Sequence, residues 1–157
     1  MGTRTIDGTV EAVWLRRRRS KVAVYDKIRF RLEDGGTHLL GKSIVGAAVA
    51  ERLVPGARGR FYLYSAIDHQ GVHGIRAGGR GDFAFPTVNE NAMAVLALLN
   101  ATWLGVAVTL TGKVPLLPLF LTAVTVPGYF LHRRTRSEAR RQFDADGQYA
   151  AKGGPDD

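Results

Sequence analysis

Residues Ala92–Leu131 read AMAVLALLNATWLGVAVTLTGKVPLLPLFLTAVTVPGYFL, forty residues in which Lys113 is the only charged side chain. Around that lysine the run divides into two apolar pieces, Ala92–Gly112 and Val114–Leu131, of 21 and 18 residues. At about 1.5 Å of rise per residue, a helix of either length approaches the roughly 30 Å of a bilayer's hydrocarbon core. The run therefore predicts a transmembrane helical hairpin whose tip lies at Gly112–Pro115.

Small residues recur at every fourth position of the first piece and predict a packing face. They are Ala97, Ala101, Gly105 and Thr109. Their neighbour would be the second piece, held antiparallel by the short tip, or a second copy of the chain in a homo-oligomer. Asn100 is strongly polar for mid-membrane, so we expect it to face a helix partner. The second piece contains three prolines, which leaves a re-entrant segment as the alternative to a full span.

Basic residues surround the apolar run in a chain whose net charge is +8. Five arginines follow the run closely: Arg133, Arg134, Arg136, Arg140 and Arg141. Residues 1–89 are basic as well and lack the apolar core of a signal peptide. Because Lys and Arg beside membrane helices mark the cytoplasmic side, the pattern predicts a multi-pass protein of a bacterial-type inner membrane with both termini in the cytoplasm.

Before the apolar run, residues 1–86 alternate with period two, which is typical of half-buried strands. In the first such segment Ile6, Val10, Ala12 and Trp14 share one face, and Gly8 marks a bend. Five strands are predicted at about residues 3–15, 25–33, 37–45, 58–67 and 72–85, with a short helix at 47–53. Three strands, a helix and two strands is the order of an OB-fold, a five-stranded Greek-key barrel. An SH3-like barrel, which usually lacks the helix, is the competing prediction.

The surface of this predicted barrel is strongly basic. Its cations lie on the connection after the first strand and on the outward face of the second: Arg16, Arg17, Arg18, Arg19, Lys21, Lys27, Arg29 and Arg31. OB-folds commonly bind ligands on this part of their surface. Tyr25, Tyr62 and Tyr64 could stack bases if they lie on the same side, and Tyr62 and Tyr64 are expected to point outward.

Three partners fit such a surface. Anionic lipid of the adjacent bilayer would attract each nearby Lys or Arg by about 1 kcal/mol and orient the barrel. A protein partner would make the barrel a binding or adaptor module, which is the function we expect. A single-stranded nucleic acid, held by a basic groove with aromatic platforms, is the alternative. A small channel or transporter subunit is the weaker alternative, with Asn100 on a water path.

Residue patterns for catalysis are missing from the sequence, which has no nucleophile elbow, P-loop or HExxH. The lack of cysteine excludes disulfides, thiolate chemistry and cysteine-ligated zinc. His69 and His73 flank a turn beside Asp68, but three side chains on a polar loop fall short of a convergent metal site. We therefore expect a non-enzymatic protein with no cofactor and no metal.

A small barrel joined to membrane helices broadly resembles the architecture of NfeD-type bacterial membrane proteins, although those carry the barrel after their helices. The resemblance is architectural and implies no residue roles. Residues 132–157 form the last predicted region. In it, His132–Phe143 continues the second helix as a basic stretch along the lipid headgroups, and Gly147–Asp157 is disordered.

Overall fold

The computed structural model describes residues 2–66, 69–147 and 149. The strands along them are β1 Gly2–Arg18, β2 Val22–Leu32, β3 Thr37–Leu40, β4 Ser43–Gly46, β5 Arg58–Ser65, β6 Gln70–Ala77 and β7 Arg80–Phe83. The helices are α1 Ala47–Arg52, α2 Val88–Thr111 and α3 Leu116–Ala145. The chain forms two compact units, one of residues up to Pro86 together with those from Thr135 onward, and one of Thr87–Arg134. We call them the barrel unit and the helical unit.

Five strands of the barrel unit close into a ring in the order β1–β2–β4–β6–β5, and β5 pairs back onto β1. The neighbours are antiparallel except β4 and β6, which run parallel. β3 and β4 both pair with β2, so they form one strand interrupted at residues 41–42. β7 extends the sheet from β6 as a hairpin. The small closed barrel predicted from the alternation is confirmed.

Alternating apolar side chains fill the barrel. The fully buried ones are Val10, Ala23, Ile28, Phe30, Val45, Val49, Phe61, Val72 and Ile75. The rings of Phe30 and Phe61 lie 4.9 Å apart at their centre, in a tilted pair. α1 follows β4 directly, and its Val49 and Ala50 belong to the same core. With β3 and β4 counted as one strand, the predicted helix between the third and fourth strands along the chain is therefore present, and it helps to fill the barrel.

β1 does not keep one face inward along its length. Its pairing with β2 shifts register between Val10 and Ala12, and such a bulge reverses which side chains face the core. Val10 is buried and Val13 packs against the core, whereas Trp14 is 44% exposed. The prediction that Trp14 shares one face with Val10 is wrong, because strict period-two counting does not allow for an extra residue.

In the helical unit, the part of α2 from Glu90 to Thr111 is 22 residues long and contains an 18-residue window with a mean hydropathy of 1.9. Among the described residues it is the one helix long and apolar enough to cross a membrane. The second predicted piece is shorter as a helix, because α3 begins at Leu116 and His132 follows its last apolar residue, Leu131. Sixteen residues reach about 24 Å, less than the hydrocarbon core. One candidate span is present, and a hairpin of two spans is not shown.

The predicted packing face of α2 lies largely at the surface of the helical unit. Ala97 is half-buried, but Ala101, Gly105 and Thr109 are exposed, and a Cβ added to Gly105 would meet no atom within 4 Å. Asn100 is 8% exposed, and its Nδ2 donates a hydrogen bond of 2.8 Å to the carbonyl oxygen of Leu96 in its own helix. Each step of four residues rotates the position by about 40° around a helix, so such a stripe drifts away from a straight neighbour.

Met93 and Gly128 mark a close approach between α2 and α3 inside the helical unit. A Cβ added to Gly128 would lie 2.7 Å from the Sδ of Met93. Less exposed positions of α2 then recur at Ala97, Asn100 and Leu104, with alternating steps of four and three residues. That spacing keeps one helix face turned toward a neighbour.

Candidate binding face on β1, β2 and β3

The end of the β1–β2 hairpin collects five of the eight cations singled out from the sequence. These are Arg16, Arg17, Arg18, Arg19 and Lys21, and all are exposed. Arg16 lies 3.7 Å from Asp26, with both side chains more than half exposed, so this ion pair contributes little to stability. The hairpin end is thus a solvated, strongly positive projection.

A groove of about 470 Å³ lies beside this hairpin on the outer surface of the barrel. Its lining comes from three adjacent strands: Trp14, Asp26, Lys27, Arg29, Thr37 and Leu39. Trp14 and Leu39 are 44% and 53% exposed, so the groove offers apolar surface between cations. Scattered apolar residues are ordinary on a protein surface, but two of them in one concave, charged site are typical of binding sites.

Glu11 organises two of the groove's neighbouring cations. Its Oε2 lies 2.7 Å from Nε of Arg29, although that N–H is not aligned for a hydrogen bond, and its Oε1 accepts a 2.8 Å hydrogen bond from Arg31. The guanidinium of Arg29 also lies over the Trp14 ring, 5.6 Å from its centre. Glu11 therefore neutralises part of the charge of this face and holds Arg29 against the tryptophan. Lys27 and the hairpin end carry the remaining positive charge.

The three tyrosines proposed for stacking are buried. Tyr25 belongs to the barrel core, while Tyr62 and Tyr64 lie on the outer face and are covered there. Phe143 packs edge-on against Tyr62 at 5.0 Å between ring centres, and Phe85 lies 4.7 Å from Tyr64. None of the three rings can accept a base in this arrangement, which contradicts the stacking interpretation. Trp14, which the strand alternation had placed on the same face as Val10, is the aromatic side chain that lines the groove.

A C-terminal segment covers Tyr62. We call it the strap and define it as Thr135–Gly147 with Tyr149. Phe143 of the strap is 5% exposed and enters a slot that two glycines leave open. A Cβ on Gly74 would lie 2.6 Å from the Phe143 ring, and one on Gly81 would lie 3.1 Å from it. The predicted basic stretch after the apolar run thus has one face packed on the barrel.

Arg60 of β5 fastens the end of the strap. It pairs with both carboxylate oxygens of Asp7 at 2.7 Å and donates a 2.9 Å hydrogen bond to Asp146. Its guanidinium also lies 3.9 Å from the centre of the Tyr149 ring. The hydrogen bonds from Arg60 hold the pKa of the Asp7 and Asp146 carboxyls below the usual value. The Tyr62 hydroxyl donates to Asp146 at 3.0 Å, and burial raises the pKa of that tyrosine to about 12.

Arg76 of β6 holds the strap at a second point. Its Nη2 donates a 2.8 Å hydrogen bond to the carbonyl oxygen of Phe143. The same guanidinium lies 4.2 Å from the centre of the Phe143 ring. The hydrogen bonds between the strands and the strap join residues that are 67 to 86 positions apart in the chain, and no local pattern in the sequence indicates them.

His73 and His69 do not form a metal site with their described neighbours. His73 is fully buried, and burial lowers its pKa to about 4. Its ring nitrogens have no hydrogen-bond partner among the described residues. The nearby Ala139 backbone offsets a part of the decrease in the His73 pKa. His69 packs edge-on against Tyr64, and Asp68 lies outside the described residues. Within that part of the chain, no three His, Cys, Asp or Glu residues are grouped to hold a metal ion.

Comparisons of the chain with models of protein families, with curated proteins and with solved structures return no match. The resemblance to NfeD-type proteins therefore stays a likeness of architecture. Function has to be inferred from the groove, from the charges around it and from the apolar helix.

Proposed function

We propose that this chain is a non-enzymatic, membrane-anchored binding module whose barrel recruits a protein partner through the groove beside Trp14. The observation that carries the proposal is the exposure of Trp14 and Leu39 between Lys27 and Arg29 in one concave site. An apolar anchor residue flanked by Asp or Glu would complement this groove, because it would fill the apolar surface and pair with the cations. An acidic segment of a protein is therefore the partner chemistry we infer.

The order of the ring supports an OB-like barrel. With β3 and β4 counted as one strand, the ring is first, second, third, fifth and fourth, and a helix joins the third to the fourth. In OB-folds, ligands bind on the face of strands two and three and at the first loop. The groove beside Trp14 and the basic hairpin end occupy the corresponding positions here.

The membrane arrangement that we propose is supported by α2 and by the composition of the barrel unit. Residues before Thr87 and after Arg134 belong to one compact unit, which favours the same side of a membrane for both. If α2 crosses, the chain must return, and the apolar part of α3 would do so as a short span or as a re-entrant segment. The arginines from Arg133 onward favour the cytoplasmic side for both termini, in a bacterial-type inner membrane.

A single-stranded nucleic acid is the second candidate partner, and the five exposed cations of the hairpin end favour it. The burial of Tyr25, Tyr62 and Tyr64 counts against it, because among the residues that line the groove only Trp14 offers a ring for stacking. Binding of an acidic protein segment would depend on apolar contact with Trp14 and Leu39, whereas binding of a nucleic acid would depend mainly on charge.

Peptide selection on the full-length protein in detergent tests the proposal. From a random phage-displayed library, we expect enrichment of peptides that combine Asp or Glu with an aromatic or large aliphatic residue. Trp14→Ala should weaken their binding at least tenfold. The matched control is Leu15→Ala, because Leu15 is 52% exposed but does not line the groove.

Equal peptide binding by the Trp14→Ala and Leu15→Ala proteins would refute the groove as the site. A labelled single-stranded oligonucleotide is tested in parallel across a range of salt concentrations. Tight binding that survives Trp14→Ala but weakens steeply with salt would favour the nucleic-acid function instead.

A further inference from the structure

A second pocket, remote in sequence from the groove, lies where the strap meets the residues around the end of β7. It has a volume of about 330 Å³ and is lined by Phe83, Ala84, Phe85, Arg136 and Arg140. All five residues belong to the barrel unit. Two guanidinium groups and two aromatic side chains therefore border one small concave site, and its lining contains no acidic residue.

The two arginines are placed as a pair. Arg136 and Arg140 are four residues apart on α3, so their side chains emerge on the same side of the helix. Arg140 is held from two directions, by a 2.9 Å contact from its Nε to Asp144 and by the Phe83 ring, whose centre lies 5.0 Å away. A guanidinium that is oriented before a ligand arrives loses less entropy on binding.

The position of this pair along α3 is close to the depth of lipid headgroups. The apolar part of α3 ends at Leu131, and Arg136 and Arg140 follow five and nine residues later on the same helix. At 1.5 Å per residue they lie about 7.5 and 13.5 Å beyond the last apolar residue. The polar layer on each side of a bilayer is roughly 5–8 Å thick, so Arg136 lies at its outer edge and Arg140 about 6 Å beyond it. Long helical side chains lean toward the N-terminal end of their helix, which here is the apolar end, so both guanidiniums are within reach of the headgroups.

We propose that this pocket binds the phosphate group of an anionic phospholipid headgroup. Paired guanidiniums match the planar, multidentate geometry of phosphate oxygens, and the Phe83 ring helps to keep the guanidinium of Arg140 at the site. The inference rests on the membrane anchoring in the proposed function. Free inorganic phosphate would offer the same oxygens, so the two sources are compared directly in the test.

The test counts the lipids that stay bound to the full-length protein. Nanodiscs of phosphatidylcholine with a minority of phosphatidylglycerol are prepared, the protein is extracted in mild detergent, and native mass spectrometry records the retained lipid. We expect one phosphatidylglycerol per chain. The Arg136→Gln/Arg140→Gln protein should retain at least tenfold less, whereas Arg17→Gln/Arg18→Gln, which removes the same charge from the hairpin end, should retain as much as the unchanged protein.

Four outcomes would overturn the proposal. Equal loss of lipid in both double variants would mean diffuse attraction between charges, and no retained phosphatidylglycerol would mean no site. Displacement of the lipid by millimolar inorganic phosphate would identify free phosphate as the ligand. A single Arg136→Gln variant, which keeps the contacts of Arg140 with Asp144 and Phe83, must also lower retention, and its unchanged thermal transition would exclude loss of folding as the cause.

Failure of the membrane anchoring is detected separately. Extraction of membranes with alkaline carbonate shows whether the unchanged protein is integral. A protein that resists extraction but retains no phosphatidylglycerol would contradict only the lipid site. A protein that is released would contradict the anchoring, and the lipid site with it.

Discussion

His73 lies fully buried in a ring of aromatic side chains from β5 and from the residues at the end of β7. Ring centres of Tyr62, Tyr64, Phe83 and Phe85 are 5.7 to 6.2 Å from that of His73. Burial in these surroundings disfavours the charged imidazolium, which is why the pKa falls to about 4. The histidine is therefore neutral in the folded protein at neutral pH.

A lowered histidine pKa predicts loss of stability in acid. The unfolded chain takes up the proton near pH 6.5, but the folded chain does so only near pH 4, so the full stability is present above about pH 6.5 and declines between these values. The loss should reach up to about 3 kcal/mol, and His73→Phe should remove this part of the pH dependence. Urea unfolding of the full chain in detergent at pH 7.5 and pH 4.5 measures it. Identical pH dependence of the two proteins would contradict the prediction.

Arg60 is the residue on which the strap and β1 converge, so its removal should cost more than removal of an exposed arginine. Arg60→Met leaves the half-buried carboxylates of Asp7 and Asp146 without their cation, and we expect a loss of about 1–3 kcal/mol in the free energy of unfolding. Arg58→Met on the same strand is the control, because its 3.6 Å ion pair with Glu33 is about half exposed and should contribute less than about 1 kcal/mol. Equal losses would show that Arg60 is not a special fastening point.

At the scale of elements, α3 is one helix with two environments. Its first half is apolar and belongs to the helical unit, and its second half, from Thr135, packs on the barrel. Ala139 and Phe143, four residues apart, are its buried apolar contacts with the strands. The slot for Phe143 depends on glycines in β6 and β7, because side chains there would occupy the same space.

Gly74→Ala is expected to displace the strap. The new Cβ would lie 2.6 Å from Cδ2 of Phe143, so the ring has to leave its slot, and overpacking of this kind costs about 1–3 kcal/mol. Trypsin should then cleave after Arg140 or Arg141 several times faster than in the unchanged protein. Gly2→Ala is the control, since a Cβ there meets no atom within 4 Å. Unaltered cleavage of the Gly74→Ala protein would mean that Phe143 does not hold the strap in place.

At the scale of the whole molecule, the barrel unit is built from both ends of the chain, with the apolar helix between them. A chain that leaves and rejoins one compact unit can cross a membrane only an even number of times or not at all. The proposed topology therefore depends on the membership of Thr135 onward in the barrel unit as much as on the hydropathy of α2.

Cysteine labelling tests this topology, because the chain has no cysteine of its own. In intact cells, a membrane-impermeant maleimide should label Lys113→Cys at the tip but should reach Asp34→Cys, in the exposed turn after β2, only after lysis. Asp144→Cys on the strap should behave as Asp34→Cys does. Labelling of Asp34→Cys in intact cells would reverse the orientation. Different behaviour of Asp34→Cys and Asp144→Cys would contradict the rule that both ends share one side.

The sequence by itself determined the barrel and the apolar helix, because both follow from local periodicity. Alternation over residues such as Ile28 and Phe30 indicates which side chains face a core. The run from Ala92 to Thr111 predicts a helix that has no polar face. The eight cations of the candidate face could likewise be named in advance, because charged side chains of this kind are rarely buried.

Tertiary structure decided which aromatic residues line the face and where the strap lies. A one-residue bulge in β1 turned Trp14 outward, and Phe143, 81 residues along the chain from Tyr62, covered a tyrosine that alternation had left exposed. It also decided that the apolar part of α3 is shorter than a full span. A bulge and a contact between distant residues depend on how strands pair and which surfaces meet, and local periodicity contains no information on either.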